Sequence, residues 1–189
     1  MPFREQMTHS ADTTAEQWFA MRDLTRPNAL NPAYIMLAGR QFEVFTPMTR
    51  RVAIRHGRRV NQEVPFMHDL LFVRSSRQQL DPVVERTATL QYRFVCGGFC
   101  EPMVVPDADM ERFINAVRSA QTPPRYFRPD EITPAMYGRR VRIVGGHLLG
   151  YEGYLLSIRG SKYRRLLVEL PNLLKAAVNV QDEMIEIID

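Results

Sequence analysis

The amino-acid sequence predicts an α+β domain followed by a small all-β domain, and three patterns in the chain support this. Residues 17–120 mix strand-type runs with helix-type runs, which is typical of an antiparallel sheet with flanking helices. Residues 121–136 contain Pro123, Pro124, Pro129 and Pro134, as expected of a semi-rigid linker. Residues 137–189 carry strand signals only. Such a series of short strands favours a small closed barrel, because closure removes exposed sheet edges.

The N-terminal part supplies the first elements of the α+β domain. Residues 1–16 are polar and predict a disordered lead. The apolar run Trp18–Leu24 predicts a buried strand. Asn31 and Pro32 then provide an N-cap and a proline at the first helical position, which predicts a helix. Residues 42–47 predict a second strand.

The segment Thr49–Val60 predicts a basic β-hairpin. Val52 and Ile54 alternate with arginines, and His56 with Gly57 predicts the turn. The basic residues of the hairpin, which have no acid among them, are Arg50, Arg51, Arg55, His56, Arg58 and Arg59. A two-stranded projection of this charge can lie along a phosphate backbone. The same pattern also suits a hairpin whose charges only keep it solvated.

The middle of the chain predicts two more strands and a long helix. The strands are Leu70–Val73 and Tyr92–Cys96, and Asp81 with Pro82 predicts the start of a short helical turn between them. The clearest helix is Asp107–Ala120, because its apolar residues recur at the spacing of one helical face. These apolar residues are Met110, Phe113, Ile114 and Val117.

The C-terminal part opens with a strand, a glycine-rich turn and a second strand in Gly138–Tyr154. Gly146, Gly150 and Gly153 are the expected turn glycines, and Gly150 and Gly153 are expected to take a positive φ that other residues avoid. The five strands predicted for this part are Val141–Val144, Tyr151–Ile158, Tyr163–Leu170, Ala176–Val180 and Met184–Ile188.

The charge, the cysteines and the apolar runs indicate which classes of ligand and location the sequence favours. The net charge of +4 is modest, but of the 25 basic residues only Lys162 and Lys175 are lysines. Arginine binds phosphate in a forked geometry, although a genomic composition bias gives the same excess. Cys96 and Cys100 lack the second ligand pair of a zinc site, so no metal or cofactor is expected. No membrane span or signal peptide is recognisable, so we expect a cytoplasmic protein without a membrane partner.

The histidines do not suggest an enzyme. His9, His56, His68 and His147 are not spaced with a nucleophile or with paired carboxylates. His68 and Asp69 are the one adjacent acid–base pair, and neighbours in a strand face opposite sides. The sequence contains no phosphate loop, dinucleotide fingerprint or metal-ligand cluster. We therefore expect a non-enzymatic protein.

Several motifs resemble the NusG family of transcription factors, in which an NGN domain precedes a KOW domain. Gly138–Tyr154 is similar to the KOW hairpin, which implies an SH3-like barrel. Trp18–Met21 resembles the Trp-Tyr strand that opens the NGN domain. Pro65–Val73 stands in the place of the family's Phe-Pro-Gly-Tyr segment, and Val104–Asp107 resembles the entry to the last NGN helix. In their common order these motifs cover most of the chain. The resemblance implies an NGN-like domain over residues 17–120 and a KOW domain over residues 137–189.

One departure from the family pattern indicates a subtype. His68 and Asp69 replace the usual Pro-Gly or Pro-Ser, and Leu70 replaces the tyrosine. This resembles a divergent paralogue, such as the specialised antiterminators of the RfaH or UpxY type. These act on selected operons, including those for polysaccharide synthesis.

The resemblance also implies partners. The NGN domain would bind the clamp helices of RNA polymerase through an apolar depression, because a partner helix needs an exposed apolar pocket. The matching residues are Trp18, Phe66, Met67 and Leu70. As an alternative, these residues belong to the core only, since strand residues alternate between faces.

Nucleic acid and a second protein are further implied partners. Arg22 and Arg26 lie where specialised family members contact the non-template DNA strand, and the arginines of the basic hairpin could reach upstream DNA beside the polymerase. The KOW domain would recruit a ribosomal small-subunit protein or a termination factor, with Tyr151, Tyr154 and Leu155 as its surface. The competing hypothesis is a ribosome- or RNA-associated KOW protein that does not bind polymerase.

Overall fold

The computed structural model describes residues 13–27, 29–55, 57–98, 100–157, 164–181 and 183–188. Within these residues the chain forms thirteen strands, three α-helices and two short 3-10 helices, and nine of the strand pairs are antiparallel. In chain order the strands and α-helices are β1 Gln17–Asp23, α1 Ala33–Gly39, β2 Glu43–Phe45, β3 Met48–Arg55, β4 Arg58–Pro65, β5 Leu71–Ser75, α2 Arg77–Glu85, β6 Leu90–Tyr92, β7 Val104–Val105, α3 Asp107–Ser119, β8 Arg125–Phe127, β9 Tyr137–Gly145, β10 Glu152–Leu156, β11 Arg165–Leu170, β12 Leu174–Asn179 and β13 Met184–Ile187.

The described residues divide into two compact units. The first unit contains the residues up to Thr46 together with Asp69–Val104, and the second contains Pro47–His68 and the residues from Val105 onward. The predicted domains place their boundary at residues 121–136 instead. The units differ from this because the hairpin β3–β4 and helix α3 group with the C-terminal strands, and α3 packs against β11 and β12.

The sheet of the first unit has the strand order β2-β5-β1-β6. Its register places Phe19 opposite Val73 and Met21 opposite Leu71. These side chains share one buried cluster with residues of both helices of this unit, including Leu37 of α1 and Leu80 of α2. The predicted strands at residues 18–24, 42–47 and 70–73 are confirmed as β1, β2 and β5.

Helix α1 begins one residue later than predicted, and its N-terminus is held by a buried carboxylate. Pro32 is the N-cap and makes no side-chain hydrogen bond. Asp23, which is buried, accepts hydrogen bonds from the backbone N–H of Ala33 at 2.7 Å and of Thr25 at 2.8 Å. A carboxylate at a helix N-terminus satisfies a free donor and complements the helix dipole.

Helix α2 corrects the predicted helical turn at Asp81 and Pro82. The helix begins at Arg77, because the Ser76 side chain accepts a hydrogen bond from the Gln79 N–H, and Pro82 lies inside it. The position of Pro82 costs one helical hydrogen bond. Asp81 offsets part of this cost by pairing with Arg77 at 3.0 Å and by accepting from the Tyr92 hydroxyl at 2.7 Å.

Strand β6 is shorter than the predicted strand Tyr92–Cys96. It ends at Tyr92, and Phe94 forms only an isolated bridge to Pro102. Backbone hydrogen bonds from Val95 to Glu101 and from Met103 to Arg93 flank this bridge, so the chain after β6 folds back on itself and does not continue along β1. Cys96 and Cys100 lie in the following turn as exposed free thiols.

The sheet of the second unit has the strand order β13-β9-β10-β11-β12-β8. The five strands predicted for residues 141–188 are present as β9 to β13, although the predicted start at Tyr163 lies outside the described residues. No pairing among the described residues joins β13 to β8. The closed barrel therefore stays a prediction.

The predicted linker at residues 121–136 is not a linker throughout. Strand β8 lies within it and pairs with β12, and Tyr126, Phe127 and Ile132 are buried. Phe127 and Ile132 pack in one cluster with Leu167. The prolines flank this segment without removing the donors of the strand itself, so the pairing survives them. Of the predicted disordered lead, residues 1–12 lie outside the described part of the chain.

Candidate functional site

The hairpin β3–β4 forms a separate two-stranded sheet that runs from Met48 to Pro65. The predicted hairpin is thus confirmed and is longer than expected. Arg55 pairs with Arg58 at the end of the ladder, and Gly57 has a φ of 73° in the turn. His56 lies outside the described residues, as does the side chain of Arg55.

The register of the hairpin sorts its side chains into two faces. Directly opposed residues share a face, and the pairs Arg50–Glu63, Val52–Asn61 and Ile54–Arg59 therefore lie on one side. All six residues of this side are exposed, and we call it the outer face. On the other face Thr49, Ala53, Val60, Gln62 and Val64 are half-buried.

The arginines of the hairpin are available to a ligand. Arg50, Arg51, Arg58 and Arg59 are exposed, and none of them forms an ion pair within the part of the chain that the structure describes. An exposed cation without an intramolecular partner loses little on binding a phosphate, because no internal ion pair is broken.

A second basic group surrounds Asp69 in the first unit. Asp69 accepts a hydrogen bond from Arg93 at 2.8 Å and lies 3.9 Å from Arg22. Arg22 is exposed on β1, and Arg26 is exposed in the turn that follows. The structure therefore ties Arg22 to a carboxylate, whereas Arg26 has no ion pair among the described residues. Arg93 was missed in the sequence, because its partner Asp69 is 24 positions away.

The four apolar residues predicted to contact a partner helix differ in how deeply they are buried. Trp18 and Leu70 are 2% and 1% exposed, so both side chains are core and neither offers surface to a partner. Phe66 and Met67 follow β4 and are half-buried. The Phe66 ring contacts the Tyr126 ring with their centroids 5.6 Å apart. Burial also raises the pKa of Tyr126 to about 12.

The turn glycines have three different reasons to be glycine. Gly150 has a φ of 85°, as predicted. Gly153 does not have a positive φ and lies in β10, where a Cβ would be 2.8 Å from the Leu167 carbonyl oxygen. Gly146 has a φ of 106°, and a Cβ there would collide with the Glu183 carboxylate. That carboxylate accepts hydrogen bonds from the backbone N–H groups of His147 and Leu148.

A concave surface of about 660 Å³ lies in the second unit. It is lined by Asp109, Arg112, Pro134, Tyr137, Glu152, Gly153, Tyr154, Leu167, Val168 and Glu169. Tyr154 is 44% exposed, and its ring meets the Tyr137 ring edge-on at 5.3 Å. The Tyr137 hydroxyl accepts from Lys175 at 2.7 Å, so aromatic and charged groups meet in this surface.

Tyr151 and Glu152 join strand β10 to helix α3. The Tyr151 hydroxyl donates to the Arg112 carbonyl oxygen at 2.9 Å, and the Arg112 guanidinium lies over the Tyr151 ring and donates to the Glu152 carbonyl oxygen. The Glu152 carboxylate accepts from Arg142 at 2.8 Å, and this hydrogen bond lowers the pKa of the carboxyl group. Of the predicted partner surface, Tyr151 and Leu155 are half-buried and Tyr154 is exposed.

Two kinds of site are not found in the described part of the chain. No group of three or more histidine, cysteine or acidic side chains is placed to hold a metal ion. Within the same residues, no helix is both long enough and apolar enough to span a bilayer.

The chain is similar to known proteins in sequence pattern and in structure. The family model described as "Transcription termination factor nusG" matches residues 16–114, which is more than half of the chain. The solved structure "Domain interaction in Thermotoga maritima NusG" aligns with 94% of this chain and 99% of that chain, at 15% identity and a TM-score of 0.48. No curated protein matches the sequence.

Proposed function

The chain belongs to the NusG family, and on that premise we propose that it binds RNA polymerase and controls transcription elongation or termination. The family match carries this proposal. It runs from β1 into α3 and so includes the basic hairpin, Arg22, Arg26 and the segment Phe66–Leu70. A role of this kind needs binding surfaces and not a catalytic centre, so we propose a non-enzymatic protein of the cytoplasm.

The polymerase contact that we propose is centred on Phe66 and Met67. They are the members of the predicted set that keep accessible surface, since Trp18 and Leu70 are buried. An aromatic and a flexible apolar side chain next to each other suit the apolar stripe of a partner helix such as the polymerase clamp helices. In this proposal Trp18 and Leu70 stabilise the fold and make no direct contact.

For the second unit we propose a KOW-type, SH3-like barrel that recruits a second protein. Support comes from the six-stranded antiparallel sheet and from the turn around Gly146 and Gly150. The exposed ring of Tyr154 beside the concave surface gives an aromatic anchor of the kind that dominates protein interfaces. A ribosomal small-subunit protein or a termination factor is the partner that we propose.

We further propose that the protein is a specialised factor of the RfaH or UpxY type, acting on selected operons such as those for polysaccharide synthesis. Its support is the departure at His68–Leu70. Asp69 forms an ion pair with Arg93 and places Arg22 close by, so this segment makes charged contacts where the family pattern has proline and glycine. Arg22 and Arg26 would face the non-template DNA strand.

Co-elution of the full chain with RNA polymerase from the same organism tests the polymerase contact. We expect the unchanged chain to co-elute, and Met67→Asp and Phe66→Asp to lose co-elution, because a truncated or charged anchor costs about 2 kcal/mol or more. Leu30→Asp is the matched control, since Leu30 is 98% exposed in the first unit and lies outside the proposed contact.

Circular dichroism separates loss of contact from loss of fold, which matters for Phe66 because its ring packs on Tyr126. Met67→Asp provides the independent variant. Retained co-elution of both variants would contradict the proposed contact. Absence of co-elution for the unchanged chain, together with co-sedimentation with ribosomes, would support the competing hypothesis of a ribosome-associated KOW protein.

A further inference from the structure

We propose that the hairpin β3–β4 binds duplex DNA by inserting its outer face into the major groove, with Val52 and Ile54 against thymine methyl groups. This inference rests on the proposed function and deepens it, because it names the ligand of the hairpin and the side chains that contact bases. Its basis is the register, the exposure and the charge of the described hairpin residues.

Two neighbouring aliphatic side chains on the outer face are exposed to solvent. Val52 and Ile54 are 66% and 75% exposed, and because they are two positions apart in one strand they point the same way. Single exposed aliphatic residues are common on protein surfaces, whereas Val52 and Ile54 together form a continuous apolar patch on one face of a regular strand. The half-buried face of the hairpin carries its own aliphatic residues, Val60 and Val64, so the outer face is the one left for a ligand.

The charge around these two side chains fits a polyanion. Arg59 lies directly opposite Ile54, and Arg50 lies two positions before Val52 on the same face. Arg58 projects from the other face next to the turn, and Arg51 projects from that face beside Arg50. The acid of the hairpin, Glu63, lies opposite Arg50 and far from the turn. A cationic ribbon with an apolar centre thus presents arginines to phosphates and aliphatic groups to the floor of a groove.

The shape and composition of the hairpin favour duplex DNA over other polyanions. A two-stranded ribbon fits the major groove of B-form DNA, whereas the major groove of A-form RNA is too deep and narrow for side chains to read. Single strands are bound by stacking on aromatic rings, and residues 48–65 contain no phenylalanine, tyrosine or tryptophan. The same lack disfavours a membrane interface, where tryptophan and tyrosine are enriched.

The chemistry of the outer face also predicts which bases it contacts. In the major groove thymine alone presents a methyl group, and aliphatic side chains make apolar contact with it. Within the described residues no further strand pairs with β3 or β4, so the outward N–H groups of both strands can donate to phosphates along the groove walls. The hairpin should therefore prefer duplexes that contain runs of A·T pairs.

The test is binding of the full chain, without polymerase, to a fluorescent A·T-rich duplex and to the same duplex with deoxyuridine in place of thymidine. We expect weaker binding to the deoxyuridine duplex, by about fourfold for each methyl group contacted. V52S/I54S should lower the affinity for the thymidine duplex about tenfold and remove the difference between the two duplexes. Its salt dependence should stay unchanged.

A further variant tests the contribution of the arginines to binding, and two substitutions in β9 serve as matched controls. R50S/R59S should reduce the slope of log affinity against log salt by about 2, since each phosphate contact contributes about 0.9. R139S and V144S change an exposed arginine and an exposed valine of β9, and V144S should leave DNA binding unchanged. R139S should leave the thymidine preference unchanged.

Equal affinity of the unchanged chain for both duplexes would overturn the inference, and so would tighter binding to single-stranded DNA, to an RNA hairpin or to vesicles of anionic lipid. Failure of the proposed function is a separate result. If the chain does not co-elute with polymerase but still prefers the thymidine duplex through Val52 and Ile54, the DNA inference stands and the polymerase contact does not. V52S/I54S that co-elutes with polymerase but loses the preference supports both.

Discussion

The central sheet of the first unit and the hairpin β3–β4 both contain antiparallel strands, but the sheet buries apolar side chains on both faces whereas the hairpin exposes them on its outer face. In the sheet, Phe19 and Phe72 are on opposite faces and both are buried. In the hairpin, Val52 and Ile54 share one face and remain exposed. The same alternation of residues therefore stabilises the fold in one region and leaves an exposed apolar surface in the other. Substitutions should separate in the same way, into effects on stability and effects on binding.

The largest effect on stability is expected for Phe72→Ala in the sheet. Phe72 is 0% exposed and its ring lies 6.2 Å from that of Phe45, so truncation leaves a cavity and costs about 3–5 kcal/mol of unfolding free energy. Urea denaturation measures this cost, and Ile54→Ala is the control from the hairpin. A loss below about 1 kcal/mol for Phe72→Ala would show that this face of the sheet collapses around the cavity.

A smaller effect, dependent on pH, is expected at Tyr126. Burial raises its pKa to about 12, whereas an unfolded tyrosine titrates near 10. The folded state thus holds the phenolic proton more tightly. The stabilisation is fully present below about pH 10 and is lost as the pH rises through about 12. Tyr126→Phe should weaken the fall in unfolding free energy over this interval. An unchanged alkaline profile would show that Tyr126 ionises without cost.

A loss of about 1 kcal/mol is expected for Tyr92→Phe. Tyr92 is buried, and its hydroxyl donates to the Asp81 carboxylate at 2.7 Å. Burial and this hydrogen bond both raise the pKa of the tyrosine. Removing the hydroxyl deletes one hydrogen bond to a charged group, but Asp81 keeps Arg77 as its partner. Thermal denaturation at neutral pH compares this variant with Tyr154→Phe, whose ring is much more exposed. Equal melting temperatures for the two variants would contradict the prediction.

The smallest effect on stability is expected when the hairpin arginines are replaced. The quadruple variant R50S/R51S/R58S/R59S should change the unfolding free energy by no more than about 0.5 kcal/mol, because exposed residues without ion pairs contribute little. Its binding to a DNA duplex should fall further than that of V52S/I54S or R50S/R59S. Marked destabilisation in urea would show that the arginines serve the fold, and the contrast between the two regions would be lost.

Local patterns in the sequence were sufficient for most elements and insufficient for those that depend on distant partners. The alternation of Val52 and Ile54 with arginines predicted the hairpin, and the apolar spacing around Phe113 predicted helix α3. Strand β8 was missed, because neighbouring prolines conceal three residues whose partners lie on β12, about fifty positions later. Helix α2 begins before the predicted position at Asp81 because the Ser76 side chain caps it. The prediction placed the start of the helix at Pro82, which in fact lies inside it.

The candidate sites show the same limit. Arginine content and family motifs, both readable from the sequence, indicated a nucleic-acid-binding hairpin in a NusG-family chain. Only the tertiary structure decided that Trp18 and Leu70 are buried while Val52 and Ile54 are exposed, and that Asp69 pairs with Arg93. The physical reason is that a sequence period states which side chains share a face, whereas burial depends on what packs against that face. The sequence thus determined most of the elements and the family, and the tertiary packing determined which of their surfaces remain exposed.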